Sequence, residues 1–142
     1  MKKYKIGYTQ GAFDMFHIGH LNLLKNAKAQ CDILIVGVNS DALICSYKNK
    51  KTVIPEKDRK EIVKAIRYVD DVILATTLDK SEIWNNLKFD AIFIGSDWKG
   101  NERWTNTEKA LSEKGADVVY LEYTHGVSST ILREHSDDGV TD

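Results

Sequence analysis

This sequence lacks most of what would send a protein to a membrane, to an oxidising compartment or onto nucleic acid. Its 142 residues include one proline, Pro55, and two cysteines, Cys31 and Cys45. No metal-ligand spacing surrounds either thiol, and a single pair builds no disulfide framework, so both are expected free in a reducing cytosol. No apolar run approaches a membrane span, and Met1-Lys2-Lys3-Tyr4 lacks the hydrophobic stretch of a signal peptide. The expectation is a cytoplasmic protein with no membrane partner. An excess of one charge is missing too: 20 Lys and Arg stand against 21 Asp and Glu, a net charge of −1. That balance offers no field for drawing in nucleic acid. Linkers, repeats and low-complexity segments are absent, which argues for one domain over 1–134 followed by a polar tail, 135–142.

What is present is an alternation. Short apolar runs rich in β-branched residues recur at 4–9, 33–38, 72–75, 91–94 and 118–121, several entered through an aspartate. Continuous runs of that kind suit strands covered on both faces. Helix-like segments at 21–29, 56–67, 81–87 and 106–114 lie between them. Pro55 fits the first position of the second, where its missing N–H costs nothing, and Ser81 fits the N-cap of the third. The predicted fold is α/β: a single Rossmann-like domain with a parallel sheet of about five strands flanked by helices. Ligands of such sheets bind beyond the carboxyl ends of the strands, near the reversal of strand order.

The densest motif sits at the first of those ends. Gly11-Ala12-Phe13-Asp14-Met15-Phe16-His17-Ile18-Gly19-His20 follows the first strand and opens the first helix. Free N–H groups and the positive end of a helix dipole make such a junction a phosphate site. Gly11 and Gly19 offer backbone dihedrals closed to other residues and close approach for a phosphate. His17 and His20 offer donors for charge that grows during displacement at phosphorus. The same pair also suits ordinary helix-start residues, core fillers or two metal ligands, although His125 and His135 stand alone and supply no third ligand.

The pattern Gly-x-Phe-Asp-x-x-His-x-Gly-His resembles the signature of the cytidylyltransferase-like nucleotidyltransferases, with Ala12 where threonine is frequent. The resemblance implies that His17 and His20 stabilise the α-phosphate of a nucleoside triphosphate under attack. It extends to a basic loop, Tyr47-Lys48-Asn49-Lys50-Lys51, otherwise a solvated surface run. There Lys48 and Lys50 match the family's paired lysines and are followed by Arg59. Arg67-Tyr68-Val69-Asp70 is similar to the glycerol-3-phosphate cytidylyltransferase branch, which implies an Arg67 that reaches a phosphate and an Asp70 that orients it, near a subunit contact. Gly95-Ser96-Asp97-Trp98-Lys99-Gly100 resembles the segment that helps hold the nucleotide, with Asp97 and Trp98 matched. Trp84 and Trp104 belong to no motif and are expected to pack.

The last matching stretch is Thr124-His125-Gly126-Val127-Ser128-Ser129-Thr130, where Thr124, Gly126, Ser128, Ser129 and Thr130 are binding candidates. Tyr123 takes the place of a family arginine. Ser128-Ser129-Thr130-Ile131-Leu132-Arg133 also resembles adenylyltransferases of the same superfamily, so Arg133 is a further cation candidate. The implied activity transfers CMP from CTP to a phosphorylated polyol, glycerol 3-phosphate foremost, releasing pyrophosphate. An ATP-dependent adenylyl transfer and a non-catalytic nucleotide-binding module are the alternatives. Mg2+ or another divalent cation accompanies the triphosphate in this reading, with no all-protein metal cage, and the protein is a homodimer with no nucleic-acid partner.

Overall fold

The computed structural model describes residues 2–122. Five strands form one sheet: β1 (Tyr4–Gly11), β2 (Cys31–Asn39), β3 (Asp71–Ala75), β4 (Ala91–Gly95) and β5 (Asp117–Leu121). All pairings are parallel, in the order β3-β2-β1-β4-β5. The helices are α1 (Ile18–Lys28), α2 (Asp41–Lys48), α3 (Glu56–Lys64), α4 (Lys80–Leu87) and α5 (Glu102–Glu113). The expected α/β architecture is the observed one, and each apolar run lies inside a strand.

Helix ends depart further from expectation, because caps decide them. α1 starts at Ile18, since His17 is already its N-cap. Pro55 is the N-cap residue of α3 and not its first helical position. Asp79, not Ser81, caps α4, accepting from the N–H groups of Ser81 and Glu82. Asn101 caps α5 through the Trp104 N–H, so that helix begins before 106. A carboxylate or amide oxygen satisfies orphan donors of a first turn and sets where it begins.

Side chains alternate across the pleat and bury both faces of the sheet. Leu34, Val36 and Val38 of β2 join Phe93 of β4, Leu24 and Ala27 of α1, and Val63 of α3 on one side. Tyr8 and Ile92 join Ile83 of α4 with Trp104 and Leu111 of α5 on the other. On this second side, the Tyr8 ring of β1 lies so close across the neighbouring strand that β2 needs a glycine. A Cβ at Gly37 would stand 2.0 Å from the Tyr8 hydroxyl oxygen. That hydroxyl donates to Gln10 Oε1 at 2.6 Å, and Gln10 Nε2 donates to Asn39 Oδ1 and to the Thr77 carbonyl. A polar chain thus ties the ends of β1 and β2 to the loop after β3.

Candidate active site

Strand order reverses between β1 and β4, and a cleft of about 390 Å³ opens beyond their carboxyl ends. Gln10 and Gly11 of β1, Asn39 of β2 and Gly95 of β4 line it at the strand ends. His17, Gly19 and His20 line it from the head of α1. This is the place that a doubly wound sheet reserves for a ligand.

Between β1 and α1 the chain makes a strained turn. Phe13 and Met15 take the left-handed conformation, with φ of 51° and 50°. Gly11 and Gly19 do not, which corrects the expectation that the motif's glycines carry the unusual dihedrals. Gly11 instead provides room: a Cβ there would come to 3.3 Å from the Phe13 ring. Left-handed backbone persists at non-glycine residues only where the surroundings hold it. Here Asp14 holds it. Its buried carboxylate accepts the Val53 N–H at 2.8 Å on Oδ2 and the Ile54 N–H at 2.9 Å on Oδ1. Asp14 therefore pins the turn to the segment that follows the basic loop.

The histidines form a reciprocal capping box. His17 Nδ1 accepts the Gly19 N–H at 3.0 Å, and His20 Nδ1 accepts the His17 N–H at 3.3 Å. The rings stack with centroids 3.8 Å apart. A ring nitrogen that accepts a hydrogen bond is unprotonated, so each neutral ring carries its hydrogen on Nε2. Burial keeps them neutral. It lowers His17 below its ordinary value and pushes His20 down to about 4; neighbouring His17 adds to that shift and Asp14 opposes it. Two neutral Nε2–H donors at a helix N-terminus form an electropositive corner without a formal charge. Such a corner suits an oxyanion that grows during a reaction better than it suits a resident anion.

The other expected residues fall into four groups. Ala12, Lys48, Asp97 and Trp98 line the cleft with the histidines; Trp98 is 42% exposed. An adjoining hollow of about 220 Å³ is lined by Phe13, Asp14, Lys48, Lys50 and Lys51. Arg59 and the pair Arg67–Asp70 are elsewhere. Arg59 is wholly buried and donates to four acceptors: the carbonyls of Ile54 (2.8 Å), Ala12 (2.7 Å) and Asn39 (2.8 Å), and the Asp41 carboxylate. Its guanidinium is committed to the backbone of the site, which corrects its assignment as a nucleotide ligand. Arg67 precedes β3, so it lies toward the amino ends of the strands, away from the cleft, with Nη2 donating to the Tyr68 hydroxyl. Asp70 does not orient it. That carboxylate instead accepts from Lys28 Nζ at 2.6 Å and from the Leu34 N–H at 2.7 Å. Thr124, Gly126, Ser128, Ser129, Thr130 and Arg133, with Tyr123 and the tail 135–142, lie outside the described residues.

Lys80, Arg103 and Trp104 line the cleft as well, and sequence reasoning missed all three as site residues. Trp104 was expected only to pack, and it does, yet it also forms cleft wall. The one available signal was position: each lies in the first turn of a helix that follows a strand, α4 after β3 or α5 after β4. Among the described residues no cluster of three His, Cys, Asp or Glu side chains could hold a metal ion. No described helix is long and apolar enough to cross a membrane.

A parallel sheet whose first helix aims two neutral histidine donors into a cleft at the switch point defines an α/β enzyme domain built for phosphate chemistry. Comparison with known proteins narrows this. The cytidylyltransferase-like family model matches residues 8–135, and the chain belongs to that family of nucleotidyltransferases. It is 34% identical to glycerol-3-phosphate cytidylyltransferase of Bacillus subtilis, over 89% of this chain and 92% of that protein. It is 35% identical to the bifunctional protein HldE of Helicobacter pylori over 92% of this chain, but it spans only 27% of that longer protein. Among solved structures, a lipopolysaccharide core biosynthesis protein from Thermoplasma volcanium superposes with a TM-score of 0.70 at 26% identity, covering 85% of this chain and 97% of the other.

Proposed function

We propose that this nucleotidyltransferase transfers CMP from CTP to a phosphorylated polyol, glycerol 3-phosphate foremost, giving a CDP-alcohol and pyrophosphate. The observation that carries the reading is the His17–His20 pair, neutral and with both Nε2–H groups free of the capping bonds, in a chain that matches a glycerol-3-phosphate cytidylyltransferase along nearly its whole length. The acceptor's phosphate oxygen attacks the α-phosphorus in line, and pyrophosphate leaves. The chain's own work is to position and to stabilise charge, as expected of transfer at phosphorus. His17 and His20 donate to the α-phosphate oxygens as their charge grows, the helix head adds its dipole, and Lys48 and Lys50 neutralise the β- and γ-phosphates. Asp97 and Trp98 wall the nucleoside. Mg2+ or another divalent cation accompanies the triphosphate in this reading and would offset part of its charge. The same reading carries a homodimer that uses the exposed Arg67 edge, and the sedimentation coefficient of the intact chain tests it.

A second acceptor reading, a phosphorylated sugar, draws on the solved relative of lipopolysaccharide core biosynthesis. Pyrophosphate release measured with CTP and with ATP, each against a panel of phosphorylated alcohols and sugars, separates the readings. Release with CTP and glycerol 3-phosphate is expected. Turnover with ATP alone would overturn the cytidylyl assignment.

A further inference from the structure

One wall of the cleft has properties that the motif residues do not explain. Lys80 is 7% exposed, and its Nζ donates to the Leu78 carbonyl at 2.9 Å. Trp104 is 5% exposed, and Lys80 Nζ lies 5.4 Å from its ring centroid. The Trp104 Nε1–H is the one buried side-chain polar atom without a hydrogen-bond partner among the described residues. Arg103, adjacent in sequence, lines the same cleft with its guanidinium 5.9 Å from the Trp98 ring. Neither Lys80 nor Arg103 makes an ion pair among the described residues, although Asp97 and Glu122 also line the cleft.

This arrangement is costly while nothing binds to it. A buried ammonium with spare donors and an orphaned indole N–H each forfeit solvation without a protein acceptor in return. Burial first, and then the Arg103 charge, push Lys80 down to about 8, with Asp79 opposing. A water molecule would satisfy one donor and leave the buried Lys80 charge, beside the exposed and hydrated Arg103 guanidinium, without an anion. A ligand with several oxygens and two negative charges would satisfy both donors and the charge together. That describes a phosphate monoester. The wall is also separate from the hollow lined by Lys48, Lys50 and Lys51, which suits the polyphosphate of a nucleotide.

We propose that Lys80 Nζ, the Trp104 Nε1–H and Arg103 form the subsite that receives the phosphate of the acceptor, while the helix head and the Lys48–Lys51 loop take the triphosphate. This rests on the reading of the cleft as a site for transfer from a nucleotide to a phosphorylated alcohol. Selectivity then begins at this wall, because a dianionic phosphate compensates both cations and a neutral alcohol compensates neither. The subsite also places the attacking oxygen in the cleft that the two histidines face.

The indole N–H signals of the 15N-labelled full chain report on this directly, with W104F identifying the Trp104 signal. Glycerol 3-phosphate, inorganic phosphate and CTP are titrated separately. The Trp104 signal is expected to shift saturably with the first two. K80M is expected to weaken both at least tenfold and to leave the CTP dissociation constant within twofold. Its melting temperature should not fall, since methionine fills the space of a desolvated lysine. A Trp104 signal that responds to CTP but to neither phosphate overturns the proposal, as does K80M that binds glycerol 3-phosphate like the unsubstituted chain. A chain that releases no pyrophosphate from CTP yet shows the phosphate-dependent shift keeps the subsite and loses the nucleotide assignment. Release without the shift keeps the assignment and removes the subsite.

Discussion

His17 serves two ends of one ring. Nδ1 closes the helix cap on the Gly19 N–H, which leaves Nε2–H as the donor available to a ligand. Alanine removes both functions, and loss of a cap alone costs about 1 kcal/mol of stability. Asparagine separates them, because its side-chain oxygen caps a helix as well as any. H17N is therefore expected to melt close to the unsubstituted chain and to bind CTP within about tenfold. Its turnover should fall by about 100-fold or more, the usual cost of one transition-state donor. Steady-state kinetics beside a CTP titration check this, and intact turnover with weakened CTP binding would contradict the role. The histidines were legible in the sequence because their spacing around Gly19 is local. Arg59 was not. Its acceptors on Ala12 and Asn39 lie 47 and 20 residues away, and an arginine in a charged helix looks solvated until the fold brings those carbonyls to it. Lys80 and Trp104 escaped for the same reason: no motif includes Lys80, and Trp104 was expected only to pack.

At the scale of elements, the site is a strand–turn–helix unit braced by a second helix. α3 brings Arg59 under the turn, and the segment before α3 presents the two N–H groups that Asp14 accepts. The Asp41 carboxyl joins the brace. Burial raises it, but the Glu56 N–H and the Arg59 guanidinium outweigh burial and hold it below its ordinary value. Lysine in place of Arg59 offers a point charge where a planar fork meets four acceptors. R59K is expected to lose about 2 kcal/mol, because a buried ammonium cannot reach all four acceptors and leaves some unsatisfied, read as a lower urea midpoint. An unchanged midpoint would show that the brace is dispensable. Strands were the easiest elements to read, since each is a continuous apolar run covered on both sides. Helix starts were harder, because a cap is one hydrogen bond and several neighbouring residues are chemically able to make it: Asp79 and Ser81 both qualify on paper.

For the whole molecule, the two partly buried histidines set an acid limit. The unfolded chain takes up protons near pH 6.5, whereas folded His20 resists until about 4 and folded His17 is also lowered. Protons therefore favour the unfolded state in that interval. Stability is complete above about pH 6.5 and is lost as pH falls toward 4. At about 1.4 kcal/mol per unit, His20 accounts for a loss on the order of 3 kcal/mol over that range. Melting temperatures of the unsubstituted chain should fall from pH 6.5 to 4.5, and those of H20N should fall less. Parallel slopes would place the acid sensitivity elsewhere.

The clamp on the turn has one more consequence, which concerns the order of events during synthesis. Asp14 and Ala12 leave the ribosome 40 and 47 residues ahead of the groups that hold them, Ile54 and Arg59. Until the α3 segment has been made and docked, the bonds from Val53, Ile54 and Arg59 that brace Phe13 and Met15 in their left-handed conformations are missing. The turn thus waits for at least 47 further residues before its brace can form, even though every residue of the motif itself has already been made.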